Sequence, residues 1–230
     1  MANRPVFIPM LDGKRLVLER PVEFHWFPGF AKSQKQKSIR DLHSAARTQL
    51  GIKNPLEISS KSEDPLGMAL SSFNLSFTTK KGRTLSVECA FQGSKVFELG
   101  GPFRDLFDKS SLEAKRDQRL KNSGSLKKFT FFGEDWALLP RTAFYDWLYI
   151  NALVKDIALS ERATEVDCFT DIEFNPDRSI NCQARSAALF CALYHTDQLD
   201  FALASKTNFL SLYAGKISAP FELSMKNRLL

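Results

Sequence analysis

SVECAFQGSKVF, residues 86–97, combines a helix start with charged groups in an apolar setting. Ser86 suits a helix N-cap, because its hydroxyl can accept an otherwise orphaned backbone N–H of the first turn. Val87, Phe91, Ser94 and Lys95 follow at helical spacing, and Gly100-Gly101-Pro102 stops the run. Glu88, Gln92 and Lys95 stand at i, i+4 and i+7, which places them on one helix face. A Glu on a face shared with Val87 and Phe91 can be partly buried. Burial raises a carboxyl pKa while a nearby Lys⁺ lowers it, so either acid or base work is open to Glu88. The same pattern also fits a surface Glu–Lys helix pair worth about 0.2–0.5 kcal/mol.

Working outward, residues 5–27 alternate short β-prone runs around Asp12-Gly13, a hairpin signal. Residues 31–49 read as a helix with Ile39, Leu42, His43, Ala46 and Leu50 near one face. On that apolar side, His43 reads as a hydrogen-bonded core histidine. Leu56–Ser59 is a short strand, residues 60–67 (SKSEDPLG) a polar loop, and residues 69–78 a further strand or irregular buried segment. Downstream come a charged helix over 103–121, a strand at Phe129–Phe132, a helix from Pro140 through Leu159 and an apolar helix over 184–194. Without βαβ alternation, tandem repeats or a linker, this order predicts one α+β domain in which helices dominate.

The 230 residues are 43% apolar, enough for a core without staples, and carry a net charge of +6. The basic surplus concentrates between Lys32 and Lys53, where Lys32, Lys35, Lys37, Arg40, Arg47 and Lys53 face one acid, Asp41. Such a block suits a polyanion, with Lys35, Lys37 and Arg40 the expected nucleic-acid contacts. The four cysteines form no C-x-x-C pair and read as reduced. His25, His43 and His195 stand far apart, so no metal is expected. There is no phosphate loop, dinucleotide fingerprint or G-x-S-x-G elbow, and no cofactor is called for. With no secretory h-region and no run of 18 apolar residues, no membrane segment is expected and the cytoplasm is the expected compartment.

Two further groups bear on chemistry. FTDIEFNPDRSINCQAR, residues 169–185, is dense in groups able to bind ribose or phosphate, though it equally reads as a loop capping the next helix. Among Phe129, Phe131, Phe132, Trp136, Tyr145 and Trp147, the polar setting Gly133-Glu134-Asp135 makes Trp136 the better stacking platform. Tyr145 and Trp147 read as core.

With these pieces in place, the chain resembles the NADAR (YbiA-like) family from about Leu56 to Leu193. SSKSEDPLGMALSSFNL is similar to the family's Y-S … G-x-x-S-N-F opening, and SVECAFQGSK to T-x-E-H-x-F-Q-A-x-K. EAKRD, then Trp136 with Arg141, then FTDIEFN…NCQAR follow in the family's order. Departures are Cys89 where many members have His, SSFN where many have SNF, and an added N-terminal segment containing QKQKSIRDLH. This longer form resembles the NADAR antitoxins paired with DarT-type DNA ADP-ribosyltransferases.

The resemblance implies a single, helix-dominated α+β domain over 1–230 of the NADAR type, with small β elements mostly N-terminal. Residues 1–55 would be a family-specific extension packed on a 56–195 core. It implies an ADP-ribosyl glycohydrolase that frees guanine in nucleic acid from ADP-ribose, with ADP-ribosylated DNA and a DarT-type toxin as partners. Glu88 would be the central carboxylate, with Trp136 and a lysine, Lys61, Lys95 or Lys35, in support. Ser71, Ser72, Phe73, Asn74, Phe91, Gln92, Phe132, Asp171, Asn175, Asn181 and Arg185 would bind the ligand. The competing readings are an N-glycosidase on a small ribosylated metabolite of riboflavin-pathway type and a non-catalytic module for ADP-ribose or nucleic acid. The basic N-terminal segment argues against the first, because a small substrate needs no nucleic-acid track.

Overall fold

In the computed structural model, which describes residues 1–175, 179–180, 182–215 and 217, the chain opens with a hairpin. Strands β1 (Ala2–Pro9) and β2 (Val17–Phe24) pair antiparallel along their whole length. Asp12 accepts the backbone N–H groups of Lys14 and Arg15 at the turn, as an Asx residue does. Helix α1 (Lys32–Leu50) follows, ending on Gly51 in the left-handed conformation at φ 68°.

Next come β3 (Pro55–Glu57), α2 (Pro65–Ala69), β4 (Ser76–Thr78), β5 (Thr84–Ser86), α3 (Val87–Gly93) and β6 (Lys95–Phe97). A 3-10 turn at Arg104–Asp108 leads to α4 (Ser111–Arg116), α5 (Arg119–Asn122), β7 (Leu126–Phe131) and β8 (Glu134–Trp136). The rest is α6 (Ala143–Leu153), α7 (Ile157–Thr164), β9 (Cys168–Thr170), α8 (Gln183–His195), α9 (Leu199–Ala204) and α10 (Lys206–Ser211). The fold is α+β. The two longest strands are N-terminal, but short strands continue to residue 170, so the β structure is not gathered at that end.

The main sheet has the order β2-β1-β9-β3, with β3 and β9 parallel and the other pairs antiparallel. The N-terminal hairpin is thus hydrogen-bonded into the same sheet as strands of the later chain. Side chains alternate across this sheet, as the two-residue period of a strand requires. Val6, Val22, Phe24 and Cys168 face α1, where Ile39, Leu42 and Ala46 cover them. Phe7, Val17, Leu56 and Phe169 face the larger core built on α6 and α8. Both core helices are apolar on nearly every side, as fully buried helices are. The layers are therefore α1, sheet, then the α6–α8 core.

Several element bounds differ from the spacing-based expectation. Helix α3 ends at Gly93, not at Gly100-Gly101-Pro102, and Lys95 opens β6. The reason is packing: a Cβ on Gly93 would meet the Phe107 ring at 2.5 Å, so the 3-10 turn lies directly on the end of α3. Residues 69–78 hold only a three-residue strand, preceded by α2. The charged run over 103–121 is broken because Ser110 and Glu113 form a capping box that starts α4 afresh. The helix expected from Pro140 begins at Ala143, and Asp156 caps a separate α7 by accepting from the Leu159 backbone. Among the described residues, no helix is long and apolar enough to cross a membrane.

Candidate functional site

The C-terminal ends of the parallel strands β3 and β9 lead into the segments Ser59–Lys61 and Asp171–Phe174, and both line one cavity of about 640 Å³. The crevice outside the carboxyl ends of parallel strands is a common ligand position. Helix α3 closes another wall. Ser86 caps it by accepting from the Cys89 backbone, which fixes Glu88 in the first turn.

Glu88 is 5% exposed. Its Oε1 accepts from Gln92 Nε2 at 2.9 Å, and its Oε2 from the Ser72 hydroxyl at 3.3 Å. The Glu88 backbone N–H also donates to the Ser72 carbonyl at 2.9 Å. Ser72 is held in turn by Gln183, whose carbonyl oxygen accepts from the Ser72 backbone at 2.8 Å while its amide donates to the Ile58 carbonyl at 2.6 Å. A carboxylate so tethered is oriented before a ligand arrives.

Cations line the same cavity. Lys95 lies 4.7 Å from the Phe91 ring centre, and burial lowers its pKa to about 8, with Glu88 opposing and Lys115 adding to that shift. Lys115 sits 5.0 Å from the Phe73 ring, and Lys61 and Arg116 complete the basic lining. Asp171 is the other buried acid of the wall. Burial first, then the charge of Glu57, raises its pKa to about 8. Behind it, Glu57 accepts from the Thr170 hydroxyl at 2.6 Å and the Ile172 backbone at 2.8 Å, and burial raises its pKa too. His43 Nε2 lies 2.9 Å from the Thr170 hydroxyl, and burial lowers its pKa to about 4. His43 is therefore the hydrogen-bonded core histidine that its helix face implies.

Of the residues singled out from the sequence, Glu88, Lys61, Lys95, Ser71, Ser72, Phe73, Phe91, Gln92 and Asp171 line this cavity together. Lys95 arrives there from β6, one residue beyond the C-cap of α3, and not from a shared helix face.

Trp136 does not line it. It is 1% exposed and packs against Phe144 and Trp147 with ring centres 5.6 and 5.0 Å away, so no base can stack on it. Arg185 is likewise in the core, 4% exposed, bonded to Asp146 at 2.7 Å and Thr142 at 3.0 Å. Asn74 is exposed and donates to the Met68 carbonyl. Phe132 is 61% exposed on a tight turn at φ 46°, against Phe131 and Phe107. Asn175 lies next to the wall segment without lining it, and Asn181 lies outside the described residues. On α1, Lys35 pairs with the cavity-lining Glu173 at 3.3 Å and Arg40 with Glu63 at 3.1 Å, while Lys37 is exposed.

The site also contains residues outside the expected set. Tyr145, read as core, lines the cavity and packs edge-on against Phe91, with ring centres 5.0 Å apart. Burial, then Glu88, raises its pKa. Lys115 and Arg116 were legible only as parts of EAKRD, whereas Gln183 belongs to the polar stretch 169–185 read as able to bind ribose or phosphate. Among the described residues, no three His, Cys, Asp or Glu side chains gather as a metal set.

A family model described as the DarT1-associated NADAR antitoxin matches residues 2–220. The chain belongs to this NADAR family. The NADAR match begins at residue 2, so it takes in the β1–β2 hairpin and the basic helix α1 together with the cavity walls. No curated protein matches the chain.

Proposed function

We propose that the chain is an ADP-ribosyl glycohydrolase that releases ADP-ribose from guanine in nucleic acid, reversing the modification made by a DarT-type toxin. The observation that carries this reading is Glu88, a buried carboxylate with both oxygens held, in a cavity also lined by Lys61, Lys95, Lys115 and Arg116. The volume of about 640 Å³ falls within the range of about 300–1,000 Å³ typical of small-molecule sites. The cations suit the diphosphate of ADP-ribose.

Breaking a ribosyl C–N bond builds positive charge on the sugar, and a fixed carboxylate beside that carbon stabilises it in a low-dielectric site. Lys95 suits attack on that carbon, because burial lowers its pKa to about 8 and a neutral amine is the nucleophile; water then hydrolyses the ribosyl–lysine bond so formed, releasing ADP-ribose and restoring the amine. Lys35, the remote alternative, is engaged by Glu173 and the Trp26 ring. Asp171, with its pKa raised to about 8, supplies a protonated carboxyl for the departing base. Phe73, half-buried on the wall, takes the stacking role that the sequence pattern suggests for Trp136. Helix α1 sits at the rim through the Lys35–Glu173 pair and offers Lys32 and Lys37 to a strand of nucleic acid.

The test is turnover of DNA carrying ADP-ribose on guanine. Glu88→Gln, which keeps size and shape, should lower turnover by roughly 100-fold or more with little change in melting temperature. Native-like turnover in this variant would remove Glu88 from the reaction. Lys95→Arg separates the roles of that residue: loss of turnover supports attack by Lys95, whereas retained turnover leaves it only a positive charge.

A further inference from the structure

Resting on the reading above, we infer that Glu57 is a positioning residue, which from behind the cavity wall holds Asp171 in place as the proton donor to the departing base. Glu57 ends β3, is 1% exposed and does not line the cavity. Burying a carboxyl is costly unless its surroundings answer it. Glu57 reaches both sequence neighbours of Asp171. Its Oε2 accepts from the Thr170 hydroxyl at 2.6 Å and its Oε1 from the Ile172 backbone at 2.8 Å. Thr170 is also its register partner across the parallel strands β3 and β9. One carboxylate therefore grips the chain on both sides of Asp171, at the point where β9 ends and the cavity wall begins.

The same contacts favour one of the two acids as the holder of a proton. Two carboxyls buried together oppose each other's ionisation, so the pair retains a proton on one side. Glu57 receives a donor on each oxygen, which favours its ionised form. On Asp171 the backbone N–H groups of Glu173 at 3.0 Å and Phe174 at 3.1 Å converge on Oδ1, so the proton belongs on Oδ2. The departing base takes that proton, and the water that hydrolyses the ribosyl–lysine bond returns it.

The other groups around the pair do not replace Glu57. Lys35 of α1 pairs with Glu173 at 3.3 Å, so those two charges offset each other. His43 of α1 reaches Glu57 only through Thr170. That hydroxyl gives its hydrogen to Glu57, so His43 Nε2 donates to it, and burial keeps the ring neutral with a pKa lowered to about 4. Tyr149 of α6 and Cys182 at the N-cap of α8 also lie near Asp171, and burial raises both above their ordinary range, which leaves them uncharged. Glu88 in the same cavity opposes ionisation of Asp171, whereas Lys61, Lys95, Lys115 and Arg116 favour it. Burial first and the Glu57 charge second raise the Asp171 pKa to about 8.

The experiment compares Glu57→Gln, which keeps the size of the side chain and removes its charge, with native protein in releasing ADP-ribose from guanine in DNA. Without the Glu57 charge Asp171 should lose its proton at lower pH, so the alkaline limb of kcat/KM should move toward acid by about one pH unit or more. The ratio of variant to native kcat/KM should then fall roughly tenfold between about pH 6 and pH 8.5. A ratio that is constant over that range, even a low one, overturns the assignment, because a purely structural Glu57 lowers turnover evenly. Carboxyl-carbon NMR of native protein gives a second reading that needs neither turnover nor a folded Glu57 variant. The Asp171 signal, identified as the one that Asp171→Asn removes, should stay protonated to about pH 8 and bend again where Glu57 titrates. A single step near the ordinary Asp value of 3.8 overturns the assignment as well. Release by native protein with an Asp171 that titrates so sinks the role of Glu57 alone. Absence of release by folded native protein sinks the glycohydrolase, and the donor role with it.

Discussion

Asp171 and Lys95 face one cavity with pKa values displaced in opposite directions, each to about 8. If neutral Lys95 attacks and protonated Asp171 donates, kcat/KM traces a bell centred near pH 8. Asp171→Asn then removes the falling alkaline limb, and a flat profile in native protein contradicts both roles. Asp171 also ties pH to stability. Its folded pKa stands above the ordinary Asp value of 3.8, so between about pH 4 and pH 8 the folded protein retains a proton that the unfolded chain has lost. Stability therefore falls as pH rises through that window and levels off above it. Glu57, raised by the same burial, acts in the same direction. Melting temperatures at pH 5 and pH 8 check this: native protein should melt lower at pH 8, and Asp171→Asn should show a smaller difference. At this scale the motif order singled out Glu88, which does lie on the cavity wall, while its helix spacing was equally that of a surface pair. Trp136 misled because its polar sequence neighbours, Gly133-Glu134-Asp135, say nothing of the rings of Phe144 and Trp147 that enclose it.

In the proposed reading, helix α3 places the chemistry and helix α1 the substrate. Gly93 lets the 3-10 turn close on α3. Gly93→Ala would drive a methyl into the Phe107 ring and should cost about 1–3 kcal/mol in urea unfolding. An unchanged midpoint would show that Phe107 moves aside freely. On α1, Lys37 is exposed. Lys37→Glu should weaken DNA binding, and the slope of log affinity against log salt should become shallower by about 0.9 for each phosphate that Lys37 neutralises. Binding of free ADP-ribose should not change. An unaltered slope would place the nucleic acid on another face. The elements with strong local signals, the β1–β2 hairpin and α1, were legible because a turn residue and a 3.6-residue period suffice to specify them. The breaks in 103–121 and between α6 and α7 were present as capping signals, Ser110 with Glu113 and Asp156, inside runs that looked continuous. The end of α3 depends on a ring that arrives from later in the chain, which no local pattern reveals.

Taken whole, the molecule places α1 on one face of the sheet and the α6–α8 core on the other, with the cavity where parallel β3 and β9 end. One buried ion pair spans the core: Arg185 on α8 bonds Asp146 on α6, which also accepts from Ser186 and from the Tyr213 hydroxyl. Asp146→Ala would take this carboxylate from the buried Arg185 guanidinium and should destabilise the fold by about 3–5 kcal/mol. A loss under about 1 kcal/mol would mean that water reaches Arg185. Arg185 thus serves packing, although its late polar motif had suggested a ligand contact. The α+β class and the family were legible from motif order, but the cavity required knowing that strands over a hundred residues apart lie side by side. The most direct test of the proposed chemistry is to incubate the protein with DNA carrying ADP-ribose on guanine and analyse the products. Native protein should yield free ADP-ribose and unmodified guanine in intact DNA, and Glu88→Gln should leave the adduct in place. An adduct untouched by folded native protein, or released equally by Glu88→Gln, would contradict it.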